Sequence, residues 1–201
     1  PSDRADLGDV ARGAVDSLAP LAQARQIRVT IAGAEQGAPV IGDRFQLAQV
    51  AKNLIENAIK YTPIGGAVGV EIGVAEGRDA AIAAAGRRWP QAAHVALLTP
   101  SPRPASRFAY LRVSDAGGGI ARRHLPRLGE RFYRVERADA AEKTGTGLGL
   151  AIVKHIVNRH RGGLLVESEP DAGSAFAVYL EIAPPPPSDG TADAQAAAVS
   201  S

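Results

Sequence analysis

Apolar residues recur along this chain with two periods, and the places where the period changes divide it into elements. Leu7, Val10, Ala14, Val15 and Leu18 follow a helical spacing behind Asp6, whose short carboxylate suits the capping position. Ile27, Val29 and Ile31 alternate as a half-buried strand, and Val40-Ile41 marks a second, short one. Phe45, Leu47, Val50, Leu54 and Ala58 return to the helical period until Thr62-Pro63 stops it, because the residue before a proline is pushed out of helical geometry. Val68, Val70, Ile72 and Val74 alternate cleanly, residues 108–113 read as a further strand, and 164–166 with 176–182 close the set as a hairpin. Ala151, Ile152, Ile156 and Val157 form one more helical stripe. Helices laid on one face of a mixed sheet predict a two-layer α/β sandwich over residues 1–183.

Three stretches break these periods. Residues 120–146 hold Arg122, Arg123, Arg127, Arg131, Arg134, Arg137 and Lys143 with little periodicity; a long polar segment bounded by glycines reads as a lid over a phosphate-bearing ligand. Residues 76–107 separate two strands expected to be antiparallel neighbours. Gly86-Arg87-Arg88-Trp89-Pro90 and Pro100-Ser101-Pro102-Arg103-Pro104 mark this stretch as an irregular, basic insertion, with Trp89 either tucked onto the sheet edge, the commoner fate of a lone tryptophan, or exposed for a partner. The insertion is expected to take no part in ligand binding, so that replacing 77–106 by an Asn-Gly turn leaves affinity nearly unchanged. Residues 184–201, rich in Pro, Ala and Ser, are expected to be disordered because they cannot bury enough apolar surface.

Candidate chemistry sits at the element boundaries. Gly145-Thr146-Gly147-Leu148-Gly149-Leu150 runs straight into a helical stripe, and glycines there let a phosphate chain approach backbone N–H groups at the positive end of a helix. Asn53, Asn57 and Lys60, spaced four and three apart, share one helix face; amide oxygens are hard, neutral ligands suited to Mg²⁺, and the lysine offsets phosphate charge. Asp115, at a strand end before Ala116-Gly117-Gly118-Gly119-Ile120, can accept a hydrogen bond from an exocyclic amino group while the glycines leave room for a flat ring. That favours adenine, because guanine would set a carbonyl against the carboxylate. Glu56 is expected off the asparagine face, in a surface or supporting role. Leu148 and Leu150 read as core.

Taken in order, these motifs resemble the ATP-binding catalytic domain of sensor histidine kinases, within the superfamily that includes type II topoisomerase ATPase subunits and ninety-kilodalton heat-shock chaperones. Residues 53–62 resemble its N box and 115–120 its first glycine box. Residues 145–150 resemble the second, and Glu130-Arg131-Phe132-Tyr133-Arg134-Val135 the F box that belongs to histidine kinases. The wording of 131–135 and 145–157 looks most like the phosphate-regulon type of sensor kinase. The resemblance implies a Bergerat-type ATP-binding fold with ATP and Mg²⁺ as ligands. By it, Asn57 holds Mg²⁺, Asn53 and Lys60 contact phosphates or the metal, Tyr61 lies against adenine, and Asp115 binds its amino group. Ile120 closes the first glycine box, Gly117 and Gly119 open the base pocket, and Arg134 reaches the γ-phosphate from the lid. Gly145, Gly147 and Gly149 anchor the lid and cradle phosphates, with Thr146, Leu148 and Leu150 counted in the same nucleotide-binding stretch. Gly118 stands where many relatives carry proline, which bears only on lid stiffness.

The resemblance further implies a histidine-bearing dimerisation domain as the phosphate acceptor, a response regulator downstream, and a homodimeric, membrane-anchored parent with this portion in the cytoplasm. Two other readings compete: an ATP-hydrolysing conformational clamp, against which Asn53 argues because such clamps commonly carry a glutamate there, and a nucleotide-binding regulatory module that transfers nothing.

Composition narrows the field little further. The 201 residues are 45% hydrophobic with net charge +2, and no basic stripe with interleaved aromatics suggests nucleic acid. Cysteine is absent, which excludes disulfides and fits a reducing compartment. Methionine is absent too and the chain begins at Pro1, so a fragment of a longer protein is expected, without its acceptor histidine; His94, His124, His155 and His160 lack the required helical context.

Overall fold

The strand β1 (Arg4–Asp6) leads directly into α1 (Leu7–Ala24), and the carboxylate of Asp6 starts that helix. Its Oδ1 accepts the N–H groups of Gly8 (2.8 Å) and Asp9 (3.1 Å), while Oδ2 accepts Ala38 N–H (2.7 Å). The structure, a computed structural model, describes residues 3–86, 89, 91–99, 107–135 and 147–184. After α1 come β2 (Arg28–Ala32), β3 (Pro39–Ile41), α2 (Arg44–Tyr61), β4 (Ala67–Glu76), α3 (Arg78–Ala85), β5 (Ala93–Leu98), β6 (Arg107–Asp115), α4 (Gly149–Arg159), β7 (Gly163–Glu169) and β8 (Gly173–Glu181). A 3-10 turn, Arg122–Arg127, lies between β6 and α4.

Six strands form one sheet in the order β2-β4-β6-β8-β7-β5. The pair β2 and β4 is parallel and every other neighbouring pair is antiparallel. Helices α1, α2 and α4 cover one face, where Val10, Leu54, Ile55, Val70, Leu111, Val113, Val157 and Val178 share the main core. These two layers are the expected α/β sandwich, to which α3 adds a short helix on the other face. Strand β3 pairs with β1 in a small separate sheet and touches the large one through a bridge from Val40 to Ile182.

Several expectations are corrected. Strand β2 is an edge, so Ile31 is 37% exposed and the alternation there buries little. Phe45, grouped above with the apolar stripe, stands 87% exposed, because at about 100° per residue it points to the side of α2 opposite Leu47, Val50 and Leu54. The largest correction concerns residues 76–107: residues 87, 88, 90 and 100–106 lie outside those described, and the described ones are not an irregular excursion. They build α3, which packs on the opposite sheet face over Phe108, Tyr110 and Tyr179, and then β5, which pairs with β7 at the far edge. Trp89, between them, is half-buried. Strands β4 and β6 are antiparallel neighbours as expected, with Glu76 opposite Arg107 at one end and Val68 opposite Asp115 at the other. The expectation of a disordered tail falls on residues outside those described, except for Pro184.

Arg112 anchors the end of α3. Its guanidinium pairs with Glu71 and donates to the carbonyl of Ala84 (3.3 Å), while Tyr110 donates its hydroxyl to Glu71 (3.0 Å). A cation at a helix C-terminus meets carbonyls that the helix itself leaves unpaired.

Candidate functional site

Helix α2 separates core from site by its own periodicity. Leu47, Val50, Leu54, Ile55 and Ile59 are buried, and the intervening Asn53, Glu56, Asn57 and Lys60 face a cavity of about 360 Å³. The helix is held at both ends. Asp43 caps its start by accepting from Phe45 N–H (2.8 Å) and Gln46 N–H (3.1 Å), and the backbone N–H of Asp43 in turn donates to His160 Nε2 (3.1 Å). His160 is buried at the end of α4 with Nδ1 2.8 Å from Ile156 O, a pairing that puts its proton on Nδ1 and leaves Nε2 as the acceptor. At the other end Arg25 donates to the carbonyls of Ile59 (3.2 Å), Lys60 (3.2 Å) and Thr62 (3.3 Å), which fixes the turn that carries Lys60 and Tyr61.

The second wall is the end of β6. Asp115 is buried, and its Oδ1 accepts Gly117 N–H (2.8 Å), which orients the carboxylate. Gly117 and Gly119 do not line the cavity. Their requirement for glycine lies behind it: a Cβ at Gly119, where φ is +64°, would stand 2.0 Å from Glu169 O, and one at Gly117 would stand 2.6 Å from Tyr61 O. The next residue, Ile120, does line the cavity and donates its N–H to Ser168 Oγ (2.7 Å). Ser168 is fully buried and donates to Gly173 O (2.9 Å), so it pins the start of the lid segment to the β7–β8 hairpin.

The third wall is the start of α4. Asn53 donates its Nδ2–H to Gly149 O (3.4 Å) and accepts from Gln49 Nε2 (3.1 Å), which brings both asparagine amides beside the first turn of that helix. No side chain among the described residues caps α4, so its leading N–H groups are open to an anion. Gly147 has φ +69° and a Cβ there would lie 2.9 Å from Phe132, whose N–H donates to Gly147 O (3.2 Å). The F-box backbone thus crosses the glycine box in direct contact, and Arg134 is carried to the cavity.

Of the sequence-predicted residues, Asn53, Asn57, Lys60, Tyr61, Asp115, Ile120, Arg134, Gly147, Leu148, Gly149 and Leu150 converge on this one cavity. Gly145 and Thr146 lie outside the described residues. Glu56 is corrected: it is on the cavity wall, with Oε1 2.6 Å from Lys60 Nζ, because one position along a helix turns a side chain only about 100° and a wide site spans that arc. Leu148 and Leu150 line the cavity as well, and Leu150 also packs against the core, so the two roles expected of it coexist. Ala58, Leu128, Gly129, Tyr133, Val135, Ile152, Ser174 and Phe176 complete the wall, and to none of them does the sequence assign a site role. Tyr133 is fixed by His124, whose Nδ1 is 2.6 Å from its hydroxyl, and by Arg127 stacked 4.1 Å above its ring. Alternation along 173–181 was the available signal for Ser174 and Phe176, since both lie on that strand with their side chains on one sheet face.

Comparison with known proteins agrees with this geometry. The sequence profile of the histidine kinase-, DNA gyrase B- and HSP90-like ATPases matches residues 42–184. The chain is 37% identical over 139 residues to the phosphate regulon sensor protein PhoR of Pseudomonas aeruginosa, covering 69% of this chain and 25% of that protein. It is 32% identical over 186 residues to the sensor-like histidine kinase SenX3 of Mycolicibacterium smegmatis, covering 92% of this chain and 40% of the relative. It therefore spans well under half the length of these relatives. Among solved structures, the mycobacterial sensor histidine kinase MprB superposes with a TM-score of 0.60 at 26% identity, over 90% of this chain and 97% of that one. With the profile spanning most of its length and all three walls of the cavity in place, this chain belongs to the histidine kinase-, DNA gyrase B- and HSP90-like ATPase family.

Proposed function

We propose that this chain is the ATP-binding catalytic portion of a two-component sensor histidine kinase, which holds Mg·ATP and presents the γ-phosphate to a histidine on a separate dimerisation domain. The observation that carries the proposal is the convergence of Asn53, Asn57 and Lys60, Asp115, Arg134 and the uncapped start of α4 on one cavity. Asp115 receives the adenine amino group and Tyr61 lies against the ring. The first turn of α4, Lys60 and Arg134 receive the phosphates. In-line phosphoryl transfer depends on positioning and charge neutralisation more than on covalent help from the protein, and these groups are of the kind that supply both.

The donor set fits Mg²⁺ rather than a metal held by protein alone. No group of three His, Asp or Glu side chains that could cage an ion exists among the described residues, whereas Asn57 and Asn53 offer neutral amide oxygens beside the phosphate site. Bound there, Mg²⁺ would neutralise phosphate charge. The parent protein is proposed to be a membrane-anchored homodimer that passes its phosphoryl group to a response regulator, with this portion on the cytoplasmic side. No helix of the described residues is itself long and apolar enough to cross a membrane.

Titration with Mg·ATP is expected to show binding by this chain without self-labelling from γ-labelled ATP. Joining it to the dimerisation helices of its parent is expected to yield acid-labile phosphohistidine. Rapid ATP hydrolysis with no labelled histidine in the joined protein would favour the conformational clamp and sink the kinase reading.

A further inference from the structure

Strand β5 has no role in the site as described above, yet it lies directly beneath it. In the antiparallel pairing with β7, Val95 stands opposite Val166 and Ala93 opposite Ser168, so the strand widens the helix-bearing face of the sheet by one strand, about 4.8 Å. Ala93, Val95 and Leu97 alternate toward that face, and His94 and Ala96 point away and are exposed. The inward residues pack into a cluster with Val166, Leu125 and Leu128. Leu125 is 1% exposed, and Leu128, Tyr133, Val135 and Leu150, which belong to the same cluster, are also wall residues of the cavity.

The segment resting on this floor has little to hold it otherwise. Its backbone bonds are local ones, His124 N–H to Ala121 O (2.9 Å), Leu128 N–H to Leu125 O (3.2 Å), Glu130 N–H to Arg127 O (3.1 Å) and Tyr133 N–H to Glu130 O (3.3 Å), apart from Phe132 N–H to Gly147 O (3.2 Å) near its end. Short 3-10 turns are weak on their own, so between the pin of Ile120 on Ser168 at one end and the bond of Phe132 to Gly147 at the other, position comes from the apolar burial beneath. Without β5, Leu125 and Leu128 would overhang the edge of β7.

We propose that β5 is the seat of the lid: Val95 and Leu97 are positioning residues that hold residues 121–135 in the arrangement that completes the nucleotide cavity, and so set how long the nucleotide stays. The consequence for nucleotide rests on the proposed function of the cavity; the seating of the lid does not. Binding then requires the seated fraction, and a lid that unseats lowers apparent affinity by that fraction.

The test compares Val95→Ala with Leu97→Ala, made together, against His94→Thr with Ala96→Thr on the outward face of the same strand. Amide hydrogen exchange is read residue by residue, and release of a fluorescent ATP analogue by stopped flow. In the inward variant, exchange at Leu128 and Glu130 is expected to quicken by about ten-fold while α2 and β6 keep their protection. Nucleotide release is expected to quicken by about three- to ten-fold, with the outward variant matching the parent in both readouts. Parental exchange at Leu128 and Glu130 in the inward variant, or a loss of protection spread evenly over the whole chain, overturns the proposal. Should the parent chain bind no ATP, the nucleotide reading fails by itself, and the exchange pattern still decides whether β5 seats the lid.

Discussion

Asp115 and Asn57 face the same cavity from different elements, and their chemistry separates what each loses on truncation. The carboxylate of Asp115, held by Gly117 N–H, distinguishes an amino group from a carbonyl, so Asp115→Ala is expected to weaken ATP and erode its preference over GTP. Asn57→Ala is expected to remove mainly the Mg²⁺-dependent part of binding. Titrations of ATP and GTP with and without Mg²⁺ check both, and identical losses would show the assignment of base and metal roles to be wrong. Away from the site, Tyr179 is fully buried with a hydroxyl that finds no partner among the described residues. Burial raises its pKa, with Arg78 lowering and Asp79 raising it further. A raised folded-state pKa leaves stability intact below the unfolded value near 10 and erodes it as pH climbs toward the folded value. Tyr179→Phe is therefore expected to be neutral or stabilising by up to about 1 kcal/mol at pH 7, and to blunt the loss of stability above about pH 10, as urea unfolding at the two pH values will show. Tyr110, raised by burial and its bond to Glu71, retains the remainder of that alkaline loss. Residue type and spacing together pointed to Asp115, Asn53 and Asn57 as cavity residues. Tyr179 was invisible as a special case, since an orphaned hydroxyl depends on what packs around it.

Among the elements, legibility followed the strength of local signals. The α1 cap, the stop at Thr62-Pro63 and the β7–β8 hairpin were readable because a single side chain or a strict alternation dictates each. The site was readable for a related reason: α2 and α4 display their functional residues at helical spacing, and a strand end carries Asp115. Strand β5 and helix α3 escaped because their patterns are weak. Ala93, Val95 and Leu97 alternate with His94 and Ala96 over a stretch bounded by prolines, and α3 is an alanine-rich helix of 8 residues whose apolar partners come from strands β4, β6 and β8. A short helix of that kind gets most of its stability from packing and little from propensity. The tie between His160 and Asp43 was likewise hidden, since it joins the end of α4 to the start of α2 across 117 positions of sequence. It matters to the site because it fixes the two helices, α2 and α4, that together carry Asn53, Asn57 and Gly149 on the cavity wall.

At the scale of the whole molecule, the excursion between β4 and β6 belongs to the fold. It leaves the sheet beside Glu76, covers the face opposite the nucleotide with α3, adds the sixth strand at the far edge, and reaches Arg107 again opposite its starting point. A two-residue Asn-Gly turn could join Glu76 to Arg107 without strain in the pairing, which is why the sequence pattern makes residues 77–106 look dispensable. The structure predicts otherwise. Removing them uncovers Phe108, Tyr110 and Tyr179, now 2%, 8% and 0% exposed, and takes away the floor under Leu125 and Leu128. Burying a large side chain contributes about 1.5–3 kcal/mol, so the shortened chain is expected to lose about 3 kcal/mol or more in urea unfolding. The bared aromatic face is expected to drive self-association, visible by analytical ultracentrifugation. Nucleotide affinity should fall as well, since the lid loses its seat while Asn53, Asn57, Lys60 and Asp115 stay where they are. A shortened chain that remained monomeric, as stable as its parent and equal to it in ATP affinity would show the excursion to be ornament, and with it the sixth strand.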